Sequence, residues 1–134
     1  VDDIDFDSII PAITTGKADM SLAGMTVTDE RKENVDFSDS YATGVQVIIV
    51  PEDSDITGPD DLANDKMIGV QQGTTGQYYV EGSEDWDFPG LPAKCVTYKS
   101  GSLAVQDMLN GNIQYVIIDA APAAAITDAI NAVQ

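Results

Sequence analysis

Apolar positions along the chain fall into short runs separated by stretches with helical spacing, and this alternation predicts an α/β architecture. The strongest strand candidate is 44–50, ended by Pro51; others are 67–70, 95–98 and 115–118, with a short buried strand at 20–23. A first helix is expected over 8–15, capped by Asp7, with Pro11 in its first turn, where a missing N–H costs little, and Gly16 at its end. Thr28 is placed to cap a second short helix over 29–32, and Pro59 suits the first position of another. Further helices are expected over 77–81 and 102–110, the latter stopped by Gly111. An Ala-rich helix should run from Ala120 with Pro122 in its first turn. The polar, turn-rich stretch 52–61 reads as a border between substructures and 83–92 as loop.

Composition narrows the functional classes. A chain of 134 residues with 43% hydrophobic residues has enough apolar material for a folded core. Six basic residues against 23 acidic ones give a net charge of −17, which disfavours nucleic acid and anionic membranes as partners. The longest apolar run, 45–50, is broken by Gln46 and is too short to span a bilayer. The chain opens on Val1-Asp2-Asp3, so a leader is expected to have been removed or the chain trimmed. With no histidine, Ser-His-Asp and Cys-His catalysis and His-ligated zinc drop out. Cys95, the sole cysteine, lies in a strand-like run and reads as a small core residue, not a nucleophile.

Three local features carry candidate chemistry. Arg31, the only arginine, follows the small-residue turn Gly24-Met25-Thr26-Val27-Thr28. A guanidinium beside such a turn grips a carboxylate with two parallel hydrogen bonds; the alternative is a surface ion pair with Asp29, Glu30 or Glu33. Gly73-Thr74-Thr75-Gly76 links a strand to a helix, where free N–H groups and hydroxyls favour an anion; the alternative is an ordinary turn with a threonine cap. It lacks the spacing and lysine of a P-loop. Asp119 ends the run Val116-Ile117-Ile118, placing a carboxylate at a strand's carboxyl end; the alternative is a helix cap. The three are chemically complementary, since an α-amino acid presents one carboxylate and one ammonium. Calcium loops fit poorly: after Asp3-Ile4-Asp5-Phe6-Asp7 the required Gly and Glu are replaced by Ser8 and Thr14, and after Asp53 the final Glu is replaced by Asn64. No metal, cofactor or catalytic residue is expected.

Several blocks occur in order: Phe6-Asp7-Ser8-Ile9-Ile10-Pro11-Ala12, Gly16-Lys17-Ala18-Asp19, Ala23-Gly24-Met25-Thr26-Val27-Thr28-Asp29-Glu30-Arg31, Val35-Asp36-Phe37-Ser38 with Tyr41, Gly69-Val70-Gln71-Gln72-Gly73-Thr74-Thr75-Gly76, and Val116-Ile117-Ile118-Asp119. Together they resemble the polar amino-acid family of bacterial solute-binding proteins, which has the type II periplasmic binding protein fold. The resemblance implies two α/β lobes that close on a ligand, with 1–47 an incomplete first lobe and 48–134 a nearly complete second one, the chain being truncated at both ends. By the same resemblance, Arg31 holds the ligand carboxylate with Thr26 and Thr75. Asp119, Gly24 and Thr26 hold the ammonium, and Met25 and Gln72 line the pocket.

The function so implied is capture of a free, polar L-amino acid for an ABC importer and its membrane permease. The expected location is outside the cytoplasm, periplasmic or lipid-anchored. Alternatives on the same fold are a dehydratase of aromatic amino-acid synthesis and the sensing ectodomain of a receptor. An incomplete lobe would expose apolar surface and unpaired strand edges, so self-association is a further expectation.

Overall fold

The computed structural model describes residues 1–133 and contains one four-stranded sheet. The first 45 residues hold a 3-10 turn, Phe6–Ser8, and two short helices, α1 (Ile9–Thr14) and α2 (Asp29–Lys32). Then follow β1 (Gln46–Ile49), a 3-10 turn at Pro59–Asp61, β2 (Met67–Gln71), α3 (Thr75–Glu81), β3 (Lys94–Tyr98), α4 (Gly101–Leu109), β4 (Tyr115–Asp119) and α5 (Ala120–Asn131). No helix among the described residues is long and apolar enough to cross a membrane. Gln134, the last residue of the expected second lobe, lies outside the described residues.

Strand order is β1-β4-β2-β3, with β2 parallel to both β3 and β4 and β1 antiparallel to β4. Helices cover both faces, and the period-two alternation of the strands divides the core accordingly. Val116 and Ile118 of β4 pack with Ala104, Val105 and Met108 of α4 and Ala123 of α5. Tyr115 and Ile117 point the other way, joining Ile68 and Val70 of β2 and Val80 of α3. Burial on both faces explains why β4 is a continuous apolar run. Because α3 and α5 leave adjacent parallel strands on opposite faces, a crevice opens beyond the carboxyl ends of β2 and β4.

Local chemistry sets the helix boundaries. The Thr28 hydroxyl accepts from the Arg31 N–H at 3.1 Å and Ser100 does the same for Leu103 at 3.3 Å, each capping the helix that follows. Asp7, expected as a cap, sits inside the opening 3-10 turn and makes no capping bond; its carboxylate instead accepts from Lys99 at 2.9 Å. The strand expected at 20–23 does not form. Met20 and Leu22 are 77% and 79% exposed, because no strand of the described chain runs beside this segment to complete a ladder. The expected strand 44–50 shortens to Gln46–Ile49, although the Val45 carbonyl still accepts from the Ala120 N–H at 2.8 Å.

Candidate functional site

Asp119 closes β4 and lies directly opposite Gln46 in the antiparallel register. The Gln46 side-chain amide donates to Asp119 Oδ1 and, at 3.2 Å, to Thr75 Oγ1 at the start of α3. Asp119 makes no side-chain capping bond to α5, so the helix-cap alternative does not describe its carboxylate. Gly44 brings bare backbone alongside: a Cβ there would stand 3.7 Å from Asp119 Oδ1. One polar cluster thus joins the ends of β1 and β4 to the first turn of α3.

The turn before α3 is held by its own side chains. The Gly73 N–H donates to Gln77 Oε1 at 2.8 Å, Thr74 Oγ1 donates to the Gln71 carbonyl at 2.7 Å, and Gly73 takes φ +81°, a left-handed conformation suited to glycine. Thr74 therefore buttresses the turn and makes no cap.

Arg31 is buried, with 4% of its surface exposed, which excludes the surface ion pair considered from the sequence; Lys32 makes the contact to Asp29 instead. Its guanidinium donates to the Thr26 carbonyl at 2.7 Å and the Gly73 carbonyl at 2.6 Å, and lies 5.6 Å from the centroids of both the Phe6 and Tyr78 rings. These cation–π contacts favour a buried cation. Arg31 thereby ties the residue 26 turn to the residue 73 turn and keeps further donors of its planar fork.

Thr26, Thr75 and Asp119 line a single cavity of about 470 Å³, with Gly44 and Gln46 beside the carboxylate. Pro59, Tyr79, Trp86 and Leu91 form an apolar wall, and the Tyr79 and Trp86 rings lie 5.1 Å apart. Asp119 is the only charged residue of the lining. Arg31, Gly24, Met25 and Gln72 are outside that lining. The Gly24 N–H donates to the Tyr41 hydroxyl at 2.7 Å, Met25 is half-buried, and the Gln72 N–H donates to the Tyr98 carbonyl at 2.8 Å. Gln46 and the Tyr79–Trp86 wall were not singled out from the sequence; a lone polar residue interrupting an apolar strand was the available signal for Gln46.

Cys95 offers no nucleophile. Burial, followed by the charge of Glu81 and a hydrogen bond to it, pushes the thiol up to about 12. Among the described residues no group of three or more His, Cys, Asp or Glu is placed to hold a metal ion.

The sheet and its crevice place the chain among α/β proteins that gather polar groups beyond the carboxyl ends of their strands. Residues 1–131 match the family model of bacterial extracellular solute-binding proteins, family 3, and the chain belongs to that family. It is 34% identical over 116 residues to a probable histidine-binding protein of Neisseria gonorrhoeae, covering 87% of this chain and 42% of the relative. It superimposes on holo ArgBP from T. maritima with a TM-score of 0.84 at 35% identity, covering 97% of this chain and 55% of that one. An ancestral amino acid-binding protein, a precursor of cyclohexadienyl dehydratase, matches at TM-score 0.78 and 38% identity, over 93% of this chain and 54% of that one. The chain therefore spans about half the length of the relatives it matches. Its α/β fold is of the type II periplasmic binding protein kind, and the family and these relatives are binding proteins.

Proposed function

We propose that this chain is the ligand-holding part of a solute-binding protein that captures a free, polar L-amino acid outside the cytoplasm and delivers it to the permease of an ABC importer. In this reading 1–47 belongs to one lobe and 48–134 to the other, and ligand binds between them. The observation that carries the reading is the convergence of Asp119, Thr75 and Thr26 on one cavity whose sole lining charge is a carboxylate. Asp119 receives the ligand ammonium. The ligand carboxylate is met by the Thr75 and Thr26 groups and, once the lobes close, by the free donors of Arg31, whose guanidinium lies behind the lining against the Thr26 carbonyl. Gly24, Met25 and Gln72 belong to the adjoining turns and complete the site as the lobes close. The Tyr79–Trp86 wall faces the ligand side chain, and aromatic faces accept cationic groups well. Because the similar proteins are named for arginine and histidine, these two ligands head the test.

Calorimetric titration of the full-length protein with the common amino acids is expected to give saturable binding of at least one polar member. Asp119→Asn should weaken it by about 30-fold or more, the cost of removing one partner of a desolvated charge pair. Absence of binding by every amino acid, or unchanged affinity in Asp119→Asn, would overturn the reading.

A further inference from the structure

We infer that Gln46 is a positioning residue that sets the hydrogen-bonding polarity of the site, making Asp119 an acceptor for the ligand's cation and Thr75 a donor to its anion; the inference rests on the amino-acid-binding reading. Both Gln46 amide protons are committed, one to Asp119 Oδ1 and one to Thr75 Oγ1. The amide orientation follows from its partners. Rotated by half a turn, it would set its carbonyl oxygen against the Asp119 carboxylate, so only the observed orientation is attractive.

The consequences differ for the two acceptors. A hydroxyl has one proton to give and two lone pairs to receive with. Since Thr75 Oγ1 receives from Gln46, its proton is left to point elsewhere, and its place on the cavity lining makes that a ligand carboxylate oxygen. A carboxylate only accepts while ionised, so the bond to Oδ1 orients Asp119 and leaves Oδ2 for an ammonium. One amide thus assigns opposite tasks to two neighbouring oxygens.

Two features of the surroundings hold the amide in place. Gln46 and Asp119 are register partners in the β1–β4 ladder, so backbone pairing sets the separation of their side chains. Gln46 Oε1 is buried without a hydrogen-bond partner, a cost that the bonds of the amide nitrogen to Asp119 and Thr75 offset. Gly76 leaves room for that oxygen: a Cβ at residue 76 would approach it to 2.9 Å.

The test compares Gln46→Met, which keeps the length of the side chain but has no donor, with the unaltered full-length protein. The probes are L-arginine and L-histidine, each beside its des-amino analogue, which keeps the carboxylate and side chain but lacks the ammonium. The unaltered protein should prefer the amino acids. Gln46→Met should bind them about 10-fold or more weakly, the scale of a hydrogen bond to a charged group, while the des-amino analogues, which keep only the contact to Thr75, lose less, so the preference narrows. Gln46→Asn, whose amide stops one methylene short of both acceptors, should narrow it likewise and serves if Gln46→Met does not fold. Equal loss for amino acids and analogues would indicate a merely structural role and overturn the inference. So would retention of affinity within about twofold. Failure of the unaltered protein to bind any amino acid would overturn both this inference and the reading beneath it, and is seen before any variant is made.

Discussion

Arg31 shows how much a single side chain's surroundings govern. Its two carbonyl acceptors, on Thr26 and Gly73, belong to different turns, the second 42 positions beyond Arg31 itself, so it acts as a cross-brace as well as a source of positive charge near the cavity. A lysine could retain the charge but not a planar fork that reaches both carbonyls. Arg31→Lys is therefore expected to cost about 2 kcal/mol in urea unfolding, on the scale of hydrogen bonds made by charged groups. A cost below about 0.5 kcal/mol would show that the brace contributes little. At this scale the sequence was partly legible. Arg31, Thr75 and Asp119 stood out because each is an unusual residue at a strand or turn end. Gln46 did not, because its meaning lies in facing Asp119 across the ladder, a relation absent from its own neighbourhood.

Among the elements, β2 is an interior strand with close packing on its α4 face. Gly69 faces α4, and a Cβ there would come within 2.5 Å of Ile113 Cδ1 and 3.2 Å of Ala104 Cβ. Gly69→Ala should lower stability by about 1–3 kcal/mol through overpacking, read as a reduced urea midpoint with an unchanged slope. A neutral substitution would mean that the tip of the Ile113 side chain turns aside and α4 yields by the few tenths of an ångström required. The cap of α2 is readable in the sequence because Thr28 acts on a residue three positions ahead of it; Ser100 caps α4 by the same short-range bond without having stood out. The segment 20–23 shows the opposite case. It has strand-like apolar residues, but a strand is stabilised by a neighbour, and none of the described strands lies beside it.

For the whole molecule, β3 links sheet stability to alkaline pH. Burial and a 2.6 Å hydrogen bond to Asp107 push Tyr98 from its ordinary 10.0 up to about 12, and burial pushes Cys95 from 9.0 to about 12. Each group holds its proton more tightly when folded. Between the unfolded and folded values the native state therefore binds more protons, and stability falls as pH rises. The contribution is intact below about pH 9 and is lost between about 9 and 12. Unfolding midpoints should decline across that window, and a Tyr98→Phe, Cys95→Ala double variant should flatten the decline. An equally steep decline in the variant would place its origin elsewhere.

The chain's sequence by itself determined the α/β class, the approximate order of its elements, the cap of α2, and the strand-end position of Asp119. These depend on residue spacing and on contacts within a few positions. Only the tertiary structure decided that Arg31 is buried between two turns, that Thr26, Thr75 and Asp119 share one cavity while Gly24, Met25 and Gln72 lie off its lining, and that Gln46 connects two of the three. Those relations arise from strand register and from helix placement on opposite faces of the sheet, which bring together residues that no local pattern couples.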